Sequence, residues 1–68
     1  MLKRYFVNPV PQSPNGEHEV HAEGCAFMPY DPIYLGMFFN CEDAVKAARA
    51  YYSNVDGCYF CCNHCHTK

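Results

Sequence analysis

A chain of 68 residues with a formal net charge of -2 has room for one small domain and lacks the basic surplus of a nucleic-acid interface. No apolar run approaches the ~20 residues of a membrane-spanning helix, and the one basic pair, Lys3-Arg4, is too short to make a patch. A domain of this size buries only about 60% of the surface its unfolded chain exposes, so it needs a staple beyond its core, and six cysteines are well above ordinary usage.

Six Tyr and five Phe with no Trp point to a ring-rich core with tyrosine hydroxyls reaching the surface. The opening MLKRYFVNPV carries a basic pair but neither the apolar stretch nor the small-residue cleavage site of a signal peptide, which points to a cytoplasmic, reducing setting.

LKRYFVNPV reads as a first strand, with Lys3, Tyr5 and Val7 on one face, Arg4, Phe6 and Asn8 on the other, and Pro9 and Pro11 ending the ladder. PVPQSPNG is a proline-rich loop closing on Asn15-Gly16, a pair suited to a tight turn. EHEVHAEGCAF follows as a second strand. Val20, Ala22 and His18 share its inner face, Glu17, Glu19, His21 and Glu23 face solvent, and Gly24 bends the chain before Cys25. After the MPYDP turn, IYLGMFF is a third strand, with Ile33, Leu35, Met37 and Phe39 at period two.

From Cys41 to about Tyr52 the residues favour a helix. Asn40 is its N-cap, Asp43 sits three residues on, and Ala44, Ala47, Ala48 and Tyr51 form a stripe; Asn54 and Gly57 end it. Phe6, Phe27, Met37, Phe39 and Tyr51 are expected in the core. The pattern is β-β-β-α: an α+β fold with a three-stranded, mostly antiparallel sheet packed by one helix. A cysteine-rich tail, residues 57–68, begins as a short strand, Cys58 to Phe60.

The tail, CYFCCNHCH, carries the chemistry. Cys58-x2-Cys61 and Cys62-x2-Cys65 both have the gap that lets a turn aim two sulfurs at one ion, whereas the adjacent Cys61 and Cys62 diverge and suit one ion poorly. The leading reading is a structural zinc site taking Cys58 and Cys61, completed by Cys65 or His66 and by Cys25 or Cys41 from the body. Three other readings follow it. Six cysteines also suit a disulfide framework with 15 possible pairings, in which case no cofactor is needed. Cys62 to His66 matches the C-x-x-C-H haem-attachment signature, with Met28 or Met37 as a second ligand, though neither an export signal nor a suitable fold accompanies it. Thiol redox chemistry would use one of the C-x-x-C pairs or Cys41 at the helix start, but both pairs follow the helix rather than open it.

HEVHAEGC also draws the eye. On a strand, His18 and His21 point to opposite faces and cannot chelate one ion together; His21 could still join a site reached by the tail, with Cys25 four residues away. Neither a phosphate-cradling glycine loop nor a serine elbow accompanies these residues, which leans against an enzyme.

The composite HEVH…GC…MP…YLGMF…C..AV..A…VDGCYFCC..CH resembles a small uncharacterised bacterial family, and the resemblance implies a compact sheet-plus-helix fold without assigning an activity. The segment YLGMFFNCEDAVKAAR alone is similar to the strand-then-helix part of the small β-β-β-α domains of the YegP type, which lack the cysteine tail. The expectation is a small non-enzymatic module stapled by its Cys/His tail. Its partner would be another protein or a second copy, met through a sheet edge or a tyrosine-rich face.

Overall fold

The computed structural model describes residues 1–12 and 15–67. Its elements run β1 (Lys3–Val7), β2 (His18–Ala22), β3 (Ile33–Phe38), α1 (Cys41–Ala48), β4 (Val55–Gly57) and a short 3-10 turn, Asn63–Cys65. The fold is α+β, one helix on a four-stranded mixed sheet of order β3-β1-β2-β4.

Alternation along β1 sends Tyr5 and Val7 inward, where they pair across an antiparallel ladder with Ala22 and Val20 of β2. The loop between these strands closes at Gly16, whose φ of 73° needs a residue without a Cβ and whose amide donates to the Gln12 carbonyl at 2.6 Å. Residues 13 and 14 of the expected proline-rich loop lie outside the described residues.

β3 pairs antiparallel with the other side of β1, but its register shifts between Tyr5 and Phe6, where Gly36 and then Tyr34 are the partners. The extra residue, Leu35, reverses the alternation downstream. Phe38 rather than Met37 and Phe39 therefore packs against the core, and its ring lies 6.1 Å from that of Tyr5. The uniform face expected for Ile33, Leu35, Met37 and Phe39 is corrected on that ground.

The helix starts as its sequence dictates. The Asn40 side chain accepts a hydrogen bond from the Asp43 amide at 2.8 Å, and Glu42 and Asp43 sit in the first turn, where the helix dipole favours acids. It ends at Ala48, earlier than expected, and residues 49–51 continue as turns whose amides reach back to Lys46, Ala47 and Ala48. Tyr51 is therefore off the buried stripe. Ala44 and Ala48, both fully buried, bring the helix close to the sheet and leave a thin layer between them.

That thin layer explains the largest departure from expectation. Of the eleven aromatic residues only Tyr5 is buried; Phe6 is half-buried, and Phe27, Phe39, Tyr51 and also Met37 are exposed. The core is instead made of Val7, Val20, Ala22, Val45, Val55, the helix alanines and three cysteines, Cys41, Cys58 and Cys62.

β4 is the fourth strand, and it pairs parallel with β2 through His18↔Val55 and Val20↔Gly57. Three residues are too few to reveal a period in the sequence. The expected strand from Cys58 to Phe60 is displaced: Tyr59 and Phe60 lie in a turn, and the strand comes three residues earlier, at Val55–Gly57. Gly57 does not stop the helix but lets the tail cross the sheet. A Cβ placed there would stand 2.7 Å from the Cys62 carbonyl oxygen and 2.7 Å from Cys65 Cβ. Among the described residues no helix is long and apolar enough to cross a membrane.

The Gly57 crossing yields a direct test. Gly57→Ala should lower the unfolding free energy by about 1–3 kcal/mol, the usual cost of overpacking a tight contact, read from the urea midpoint of the reduced chain.

Candidate metal centre

His21 lies on the face of β2 opposite Val20 and Ala22, which the sequence assigns to solvent. It is in fact 1% exposed, because the tail comes against it, with Cys61 Sγ 3.8 Å from its ring nitrogen; Glu17 on the same face is 5% exposed. Just past the strand the chain reverses through Gly24, whose φ is 85°, and the Cys25 amide donates to the Ala22 carbonyl at 3.2 Å. Four residues beyond His21, Cys25 is thereby folded back to its level.

β4 delivers the tail to the same place. The Cys58 amide donates to the Val20 carbonyl at 2.9 Å, extending the parallel ladder by one rung, and the chain then turns sharply, with the Cys62 amide on the Cys58 carbonyl at 2.9 Å. That turn returns Cys61 towards the strand, where its sulfur accepts a hydrogen bond from the Ala22 amide at 3.3 Å.

Four ligand-type side chains now converge. Cys25 Sγ and Cys58 Sγ are 3.9 Å apart, Cys61 Sγ and His21 Nδ1 are 3.8 Å apart, and the four ligand atoms all lie within 4.8 Å of one another. A tetrahedron with Zn–S arms of about 2.3 Å has edges of about 3.8 Å, which the Cys25–Cys58 and Cys61–His21 separations match, and the remaining pairs stay within 4.8 Å. The Cys/His group lies close enough to hold a metal ion.

The surroundings suit a bound cation. Each of the three sulfurs accepts at least one backbone amide: Cys25 from Phe27 at 3.4 Å, Cys61 from Ala22, and Cys58 from Phe60 and Cys61. Such donors spread the charge of thiolates held together. On the far side of the imidazole, Glu19 Oε1 lies 3.6 Å from His21 Nε2, too far for a hydrogen bond, and Nε2 is buried without a hydrogen-bond partner among the described residues. Phe27 and Phe60, each two residues past a cysteine, stack at 4.2 Å between ring centroids and join the two loops over the cluster.

Without a cation the same group resists ionisation. Burial pushes the Cys58 thiol up to about 12 and also raises Cys25. Cys61 is raised first by its hydrogen bond to Cys62 and then by burial, while the same bond lowers Cys62. Burial lowers His21, keeping its imidazole neutral, as a metal ligand must be. Upward shifts at Cys25, Cys58 and Cys61 are the reverse of what a redox nucleophile needs.

The remaining residues named from the sequence lie elsewhere. Cys41 and Cys65 form a disulfide that ties the 3-10 turn to the first residue of the helix. His66 Nδ1 sits 3.0 Å from Asp56 Oδ2 and 3.1 Å from the Gly57 carbonyl. The structure thus gathers Cys25, Cys58 and Cys61 with His21, and holds Cys41, Cys65 and His66 apart from them. The haem reading fails here, since Cys65 is bonded to Cys41 and Cys62 is 3% exposed in the core. Compared with protein-family models, curated proteins and solved structures, the chain matches none of them.

Burial of neutral His21 sets a pH dependence. Its folded-state pKa lies below the unfolded value of 6.5, so the unfolded chain binds the proton first. Stability should therefore be fully present above pH 6.5 and fall as the pH drops below it towards the lowered value, read from urea midpoints of the purified chain at pH 7.5 and pH 6.

Proposed function

We propose that this chain is a small non-enzymatic binding module whose fold is held by one structural zinc ion on His21, Cys25, Cys58 and Cys61. The carrying observation is the convergence of four buried or half-buried soft ligands, from two segments more than thirty residues apart, at tetrahedral separations. Three thiolates and one imidazole favour zinc over hard cations, and a site closed by four protein ligands has no open position for catalysis. The core is thin, and structural zinc contributes about 10–16 kcal/mol to small domains, so the ion would decide whether the chain folds.

Cys62 would stand beside this set rather than within it. Its sulfur is 3.8 Å from Cys61 but it packs into the hydrophobic core. A second kind of staple is supported by the Cys41–Cys65 bond, so metal and disulfide would act together rather than as rivals. A cytoplasmic location agrees with the four free thiols of Cys25, Cys58, Cys61 and Cys62. The partner would be another protein or a second copy, meeting the outer strand β3, an edge of the sheet with exposed Tyr34 and Met37.

Native mass spectrometry of the purified chain should find one zinc per chain at this site, removed by a chelator with loss of the folded circular-dichroism spectrum. Metal-free material that keeps its fold would overturn the reading. Calorimetric titration with Zn2+ near pH 7.5, in buffers of different ionisation enthalpy, should show about one proton displaced from each of the three ligand thiols, since a free thiol is largely protonated there, and almost none from His21. Cys58→Ser should lose the ion and the fold together, whereas Cys62→Ala should keep the ion at a cost of about 1–2 kcal/mol in core packing.

A further inference from the structure

We infer that Cys41 and Cys65 are not only a disulfide but the two sulfur ligands of a second zinc site, which Glu42 and His64 complete once the bond is reduced. This goes beyond the first site and does not require it.

The second cluster is built at the start of the helix. The sulfurs of Cys41 and Cys65 and a Glu42 carboxylate oxygen lie within 4.8 Å of one another, with Glu42 Oε1 3.9 Å from Cys41 Sγ. The other oxygen of the same carboxylate is 2.6 Å from His64 Nε2, so the imidazole is already turned towards the group. His64 and Glu42 are both well exposed and free to shift by the small amounts that ligation needs.

Reduction need not scatter these residues. The tail is anchored on either side of Cys65 without the disulfide: the Cys65 amide donates to the Cys62 carbonyl at 2.9 Å and the His66 amide to the Asn63 carbonyl at 3.0 Å. The Thr67 amide and hydroxyl both donate to Asp56 Oδ1 at 2.9 Å. Cys41 is fixed by the helix cap. The two thiols therefore remain face to face when the covalent bond is gone.

Charge is also balanced. Two thiolates, one carboxylate and Zn2+ sum to a single negative charge, and Lys46 and Arg49 line the same cavity of about 380 Å³ as Glu42, His64 and Cys65. Opening the bond takes two electrons and two protons. A dithiol reductant supplies both and leaves as its own disulfide, or a phosphine supplies the electrons, water the protons, and the phosphine leaves as its oxide. Zn2+ then displaces the two thiol protons, forming two Zn–S bonds in place of one S–S bond.

The test counts zinc. The chain is prepared oxidised, or reduced with a phosphine that is then removed, loaded with excess Zn2+, desalted and weighed by native mass spectrometry. The reduced chain should carry one zinc more than the oxidised chain, and a Cys41→Ser, Cys65→Ser double variant should lose that difference. Counts of two and one indicate both sites; counts of one and zero indicate the second site alone and overturn the proposed structural zinc instead. Glu42→Gln with His64→Ala should weaken the extra zinc by on the order of tenfold or more, since loss of even an outer-shell partner costs 10–100-fold, while leaving the disulfide able to form. Equal zinc content in both redox states overturns the inference, as does an extra zinc that survives in the serine double variant.

Discussion

The fold depends on a backbone crossing. Gly57 ends the parallel rung beside Val20, and the tail passes over it at a distance no side chain would allow. From that point Cys58 and Cys61 are carried to one side, towards His21, and Cys65 to the other, towards the helix start. A helix that lies on alanines leaves too thin a layer for large rings, so apolar burial alone has little reserve. The Cys41–Cys65 disulfide supplies part of what the core lacks, and the Cys/His group around His21 lies close enough to hold a metal ion.

The two cross-links differ in character. The disulfide joins an exposed-side turn to a helix terminus, with an acid and an imidazole beside it. The His21 group sits under the tail with its sulfurs served by backbone amides. Backbone donors do not depend on side-chain identity unless proline replaces the residue, which suits a permanent site. A cluster at an exposed carboxylate suits one whose occupancy changes with conditions.

Much of the architecture was legible. The Tyr5/Val7 and Val20/Ala22 alternation, the Asn40 cap and the alanine stripe each specify their element locally, and the structure contains all of them. The misreadings come from non-local causes. Leu35 looks like one more apolar residue in a period-two run, and only pairing with β1 makes it the extra residue that flips Met37 outward and Phe38 inward. His21 sits among acids on a face that any local rule sends to water, and it is buried because a segment from the far end of the chain comes against it. The H-x3-C spacing of His21 and Cys25 carried the signal for the fourth ligand. A second signal was the shared Cys-x-Phe of Cys25-Ala26-Phe27 and Cys58-Tyr59-Phe60, the two loops whose rings stack over the cluster.

The order of the linked residues along the chain has a topological consequence. Cys25 meets Cys58 across 33 positions and Cys41 is bonded to Cys65 across 24, and neither span contains the other. The stretch from Glu42 to Gly57 belongs to both loops, and it includes the exposed Arg49-Ala50-Tyr51 turn where a protease would most easily cut. A nick there does not release a fragment. The Cys41–Cys65 bond keeps both halves fastened to each other, so cleavage of this chain would be silent by size until that bond was reduced.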